Sequence, residues 1–328
     1  MRTDPFRRHW SVSALALLIA VSGATARAAD VPASVYIRNA RGAMDVTLTG
    51  RQKNSVYARP ANLQAGMTIL NADDIEAIQI QLDGAALAAA ENAVRAGKLN
   101  EAVTLYRQVV APVLPYLDIR SNNAIAPAFR YAELLRMRAL WGESIKIYRA
   151  LQNAADLDTR QAATAWDAYT LTKQGDAEAA AKVIESLAID DPRHLGFVAA
   201  SLARARIALA RNEDEAALDW SARAAALGRL DNPLYSETLL LTAECYERMA
   251  RKAPAKLRQS SVTQTSDGEV RQPPMTASEF AAVARSIYTQ ITVLFPKTEP
   301  SQIAADRLSA EAEQATAPAQ PLSPGDPK

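Results

Sequence analysis

Residues 175–192, GDAEAAAKVIESLAIDDP, decide the fold. Gly175 opens the stretch, the small Ala180 follows, Ile184 stands four residues further on, Leu187 comes next, and Pro192 closes it. The same order returns as Ala284, Tyr288, Ile291 and Pro296. A nearly complete third copy reads Gly97, Ala102, Tyr106 and Val109, with Leu114-Pro115 near the closing slot. In each copy, small and large apolar residues fall on one helix face. The small ones let two backbones approach, and the large ones fill the gap beside them. A pattern of this length that recurs along a chain marks stacked helical hairpins.

The spacing resembles the second helix of the tetratricopeptide repeat, which places Ala, an aromatic and a closing Pro at these offsets. The resemblance covers residues 83–313 in about five hairpins and implies a right-handed α-α superhelix. In the first hairpin, Ala90 and Ala93 lead, Gly97 turns, and Ala102 and Tyr106 follow. Pro112, Pro115 and Asn122-Asn123 interrupt before the next hairpin, where Ala132 and Leu135 lead and Ser144, Tyr148 and Leu151 follow. In the third, Ala168 and Leu171 precede the stretch quoted above, and Asp190-Asp191-Pro192 stops its second helix, because the residue before a proline avoids helical geometry. The fourth turns at Asn212-Glu213-Asp214, with Ala216 and Trp220 setting a register left open by one residue. The fifth joins Ala243 and Tyr246 to Ala284, Tyr288, Ile291 and Pro296, across an insertion, 252–276, too polar to order itself. Ile303, Ala304 and Leu308 within 300–313 suit a terminal covering helix, and the Pro-rich tail 314–328 is expected to be disordered.

The resemblance further implies a concave, partner-binding groove lined by the leading helices. Carried over by register, its candidate residues are Glu91, Arg95, Phe129, Glu133, Arg136, Tyr169, Lys173, Glu244, Glu247 and Arg248. Leu87, Val94, Met137, Thr172, Glu237 and Leu240 complete the set. Phe129, Arg136 and Tyr169 are the expected energetic anchors, since aromatic and Arg side chains dominate interfaces. The Lys/Asn set with which some relatives clamp a C-terminal carboxylate is missing, because Leu87 and Glu91 stand in its places.

Before Asp83 the pattern changes. Val35–Ile37, Val46 with Leu48, Val56-Tyr57, 67–70 and Ile75–Ile80 are short β-type runs, parted by Asn39, Gly42, Gly50, Asn54, Pro60 and Gly66. Ile78 and Ile80 alternate with Gln79 and Gln81, as a half-buried strand requires. Five such strands within 29–82 resemble a small SH3-like or Sm-like β-barrel. Sm-like barrels often bind RNA, but neutral charge and export argue against nucleic acid here.

Export is the expectation for residues 1–28. Arg2, Arg7 and Arg8 precede the apolar run 12–21, and Ala26-Arg27-Ala28 sets signal cleavage between Ala28 and Ala29. Ten apolar residues span about 15 Å as a helix, about half a bilayer core, so a stable membrane span is not expected. Arg7-Arg8 leaves the general and twin-arginine routes both open. Cleavage would remove four Arg and one Asp from 37 basic and 36 acidic residues, leaving 33 and 35. A near-neutral chain offers no long-range attraction for nucleic acid or anionic lipid.

Chemistry finds little footing. Cys245 is the single cysteine, so no intrachain disulfide can form, and its helix position suits a small core residue. His194 sits in an Asp-Pro-Arg-His turn, which suits a capping or solvated group. No metal-ligand spacing, nucleophile elbow or phosphate loop occurs, so no cofactor is expected. The expectation is an exported, periplasmic or secreted, non-enzymatic scaffold that holds a protein or peptide partner. An accessory subunit of an envelope export or outer-membrane assembly machine is the alternative, and an unrecognised hydrolase is a third.

Overall fold

The computed structural model describes residues 30–61, 66–253 and 275–316. The expected signal peptide and cleavage site at 1–29, most of the insertion (254–274) and the tail from 317 lie outside them.

Five strands open the described chain: β1 Val31–Ile37, β2 Ala43–Gln52, β3 Ser55–Pro60, β4 Thr68–Asn71 and β5 Ile75–Ile80. They form one antiparallel sheet in the order β4-β3-β2-β1-β5. Alternation sends Val31, Ala33, Val35, Val46, Leu48, Val56, Ala58, Leu70, Ile78 and Ile80 inward. A one-turn 3₁₀ segment, Ala72–Asp74, links β4 to β5, and Asn71 caps it by accepting from the Asp73 amide at 3.2 Å.

Eleven helices follow among the described residues. They pair as α1 Gly84–Arg95 with α2 Leu99–Val110, α3 Ile125–Met137 with α4 Trp141–Leu151, and α5 Leu157–Gln174 with α6 Ala177–Ile184. The last two pairs are α7 Phe197–Ala210 with α8 Asp214–Leu227, and α9 Tyr235–Lys252 with α10 Ala277–Leu294, before the closing α11 Glu299–Thr316. Each helix packs on the next. The leading helices α5 and α7, α7 and α9, and α9 and α11 also touch. This is a tetratricopeptide-like helical stack behind a small β-sheet.

The repeat residues fill the places their spacing gave them. Ala90, Ala102, Tyr106, Ala132, Leu135, Ser144, Tyr148, Leu151, Ala168, Ala180, Ile184, Ala243, Ala284, Tyr288 and Ile291 are all buried. The turn inside each of the first four hairpins needs a left-handed residue. Gly97 (φ 72°), Ala139 (φ 55°), Gly175 (φ 95°) and Asn212 (φ 60°) supply it at matching places. Gly196 serves a different need: a Cβ there would lie 2.9 Å from the Ala162 Cα, so glycine permits the α5–α7 approach.

Two expectations are corrected. In α8, after Asp214 at its start, the buried positions are Ala217, Ser221 and Ala224, so the seam runs one residue past Ala216 and Trp220. Trp220 instead lies half-buried outside the seam, with the Arg204 and Arg223 guanidiniums 4.8 and 5.6 Å from its ring centre. Helix α6 also ends at Ile184, well before Pro192, and a non-helical segment carries Leu187 and Ile189 back into the core.

The sheet is joined firmly to the helices. Asn123 accepts from the Ile80 amide (2.8 Å) and donates to the Ile80 carbonyl (2.9 Å), covering the outer edge of β5. Asn122 donates to the Tyr116 carbonyl at 2.7 Å. Arg51 donates to the Pro115 carbonyl at 2.8 Å and pairs with Asp118. One apolar core runs from Val35 and Ile78 through Leu134 to Phe197. The Pro112–Asn123 interruption in the repeat pattern is therefore the seat of the sheet.

Candidate functional site

A groove of about 500 Å³ opens between α3, α5 and α9, and the turn at Lys297-Thr298 with the first residues of α11 closes one side. Leu99, Met137 and Trp141 give it an apolar wall. Arg130, Glu133, Arg136, Lys173, Glu237, Lys297 and Glu299 give it charge of both signs. A larger cavity, about 760 Å³, lies between α8, α9 and α10, but its rim includes Ala253 and Met275, the two described residues that flank 254–274. The groove between α3, α5 and α9 is therefore the candidate site.

Its floor is a buried polar network joining three hairpins. Arg136, at the end of α3, donates through Nη1 to Glu237 Oε1 at 2.9 Å. The other Glu237 oxygen accepts from the Tyr169 hydroxyl and lies 3.3 Å from the Lys173 ammonium. Rings flank the guanidinium, with the Trp166 and Tyr169 centroids each 5.7 Å away. Burial alone would raise the Glu237 carboxyl, but Arg136 and Lys173 outweigh it and hold it at about 2.

Of the ten candidate groove residues, Glu133, Arg136 and Lys173 line the groove. Of the expected anchors, Arg136 reaches the groove while only 5% exposed, and Tyr169 is fully buried directly beneath it. Phe129 is half-buried against Tyr148, ring centres 6.2 Å apart. The remaining candidates are held elsewhere. Glu91 accepts from the Tyr106 hydroxyl at 2.6 Å and from Arg130 at 2.9 Å, and Arg130 draws its carboxyl below the usual range. Arg95 donates to Asn92 within its own helix, at 2.8 Å. Arg248 turns to Asp214 at 2.9 Å, on α8. Glu247 lies near Arg251 and Arg307, and burial raises the Glu244 carboxyl.

Arg130, Leu99, Trp141, Lys297 and Glu299 line the groove without having been singled out. All but Arg130 lie at helix starts or in turns, outside the register positions that the repeat resemblance supplies.

Cys245 is fully buried, and burial pushes its thiol up to about 11, which removes thiolate reactivity near neutral pH. His194 Nδ1 accepts from the Gly196 amide at 3.0 Å, a turn cap. Among the described residues no group of three or more His, Cys, Asp or Glu is placed to hold a metal ion, and no helix is long and apolar enough to cross a membrane.

No family profile and no curated protein sequence matches the chain. Among solved structures it is similar to nearly identical TPR-like repeats from a Podosopora anserina kinesin-light-chain-type protein, seen in a parent form and a point variant. Both show 17% identity and cover 63% of this chain and 94% of that one, with TM-scores of 0.40 and 0.41. The fold assignment above rests on the helices of this chain itself.

Proposed function

We propose that the protein is an exported, non-enzymatic scaffold that holds an extended segment of a protein partner in the groove between α3, α5 and α9. The carrying observation is the groove's composition. Exposed Met137 and half-buried Trp141 and Leu99 offer apolar contact beside Arg130, Lys297 and Glu299, which can fix direction and register. Apolar pockets flanked by a few convergent polar groups suit peptide side chains. The basic, apolar and small-residue order of residues 1–28 supports a partner in the cell envelope.

The test is a capture experiment on envelope fractions with a Met137→Ala/Trp141→Ala double variant. Loss of one specific partner with unchanged helical content is expected. Undiminished capture of the same partner would move the site away from the groove.

One observation favours a second reading, the accessory subunit of an envelope assembly machine. On the edge strand β4 and just before it, Ile69 is 61% and Met67 66% exposed, and β4 pairs only with β3 among the described residues. A free edge of this kind can dock by strand addition. In that reading Ile69→Lys, and not the groove variant, abolishes capture.

A further inference from the structure

The network on the groove floor has the form of a receptor already filled. Three donors from two leading helices converge on one carboxylate: Arg136 Nη1 at 2.9 Å, Lys173 Nζ at 3.3 Å, and the Tyr169 hydroxyl. The carboxylate comes from Glu237, 101 residues beyond Arg136. The donors are set before any ligand arrives, because the guanidinium lies between two aromatic rings and Tyr169 is fully buried. Preorganised donors in a desolvated wall are what carboxylate recognition requires.

Two further features point to an external ligand. Arg136 is 5% exposed, yet its Nε has no hydrogen-bond partner among the described residues, so the side chain keeps a spare donor. Two cations also meet at the single Glu237 carboxylate, on the floor of a groove that Arg136, Lys173 and Glu237 all line. Glu237 in turn has somewhere to go. It belongs to the first turn of α9, where the helix dipole favours an acidic side chain even without the Arg136 contact.

We propose that Arg136, Lys173 and Tyr169 form a carboxylate site that Glu237 occupies from within the chain, and that an acidic group of the partner binds by displacing Glu237. This rests on the groove being the partner site, and it assigns the partner's chemistry there: an extended segment bearing a carboxylate. The site is distinct from the Lys/Asn clamp of some tetratricopeptide proteins, whose positions hold Leu87 and Glu91 here. The carboxylate belongs either to an Asp or Glu side chain or to a chain terminus, since both present the same two oxygens.

The experiment measures fluorescence anisotropy of two labelled pentapeptides with the full chain. One has blocked ends and a central glutamate; the other has alanine there and a free C-terminus. Glu237→Ala empties the site and is expected to bind one of them about tenfold or more tightly than the parent, a clear shift in affinity. The preferred peptide identifies the carboxylate source, and adding Arg136→Gln should erase the gain. Sodium acetate should also raise the melting temperature of Glu237→Ala above that seen in equal sodium chloride, and not do so for the parent. Glu237→Gln, which keeps the side-chain shape, serves if the alanine variant does not fold. Folded Glu237 variants that bind both peptides as the parent does, with no acetate effect, would overturn the proposal. Capture that still depends on Met137 and Trp141 would leave the groove itself as the partner site, so the two failures are separable.

Discussion

Glu237→Gln should weaken the fold in a pH-dependent way that follows from its surroundings. The native carboxyl titrates at about 2, against 4.5 when unperturbed. At about 1.4 kcal/mol per pKa step, that gap corresponds to about 3 kcal/mol. The folded value is depressed, so this stabilisation is fully present above 4.5 and disappears as pH falls towards 2. Breaking a buried ion pair from one side leaves the other charge unanswered, which independently gives about 3–5 kcal/mol. Glutamine fits the same space but carries no charge at any pH. Urea unfolding followed by circular dichroism should therefore show the variant about 3 kcal/mol less stable at pH 7, with the difference nearly gone at pH 2. Replacing the pair together, Arg136→Met with Glu237→Leu, should recover part of the loss, because the buried guanidinium leaves with its partner while Lys173 and the Tyr169 hydroxyl still lose theirs. A Gln variant within 1 kcal/mol of the parent at pH 7, or a gap of equal size at both pH values, would refute the argument.

Ala139 occupies a left-handed turn position that Gly97 and Gly175 fill elsewhere, so Ala139→Gly should stabilise the protein by about 1 kcal/mol, read as a rise in the urea midpoint. Tyr288 is fully buried between α9, α10 and α11, so Tyr288→Ala should lower stability by about 3–5 kcal/mol; an unchanged melting curve would reject its place in the core. Mass spectrometry of the secreted or periplasmic protein should find Ala29 at its N-terminus, and an intact Met1 species confined to the cytoplasm would reject export.

The repeat architecture was legible because it is local. Ala102 with Tyr106 and Ala284 with Tyr288 lie four residues apart, and a single turn of helix fixes which face they share. The same locality explains the slip in α8. Trp220 has the bulk that usually fills a seam, yet small Ser221 fills it here while two arginines cover the indole. Register drawn from size alone cannot tell a buried aromatic from one that cations shelter. The groove was less legible because it is not local. Arg136 and Tyr169 sit at positions that face a partner in an open solenoid. In this chain the curl of the stack returns the start of α9 to the end of α3, and Glu237 meets them there. That contact depends on the accumulated angle of several hairpins, which no short spacing records. The start of α11 and the turn before it enter the groove for the same reason.

The central claim is that the partner lies in the groove. A photo-crosslinking residue at position 137, where Met137 is 47% exposed on the groove wall, tests it directly in intact envelopes. The same residue at 146, where Lys146 is exposed on α4 outside the groove, is the control. One discrete adduct is expected from position 137 and none from 146. Adducts from 146, or from position 69 on the sheet edge, with none from 137 would contradict it.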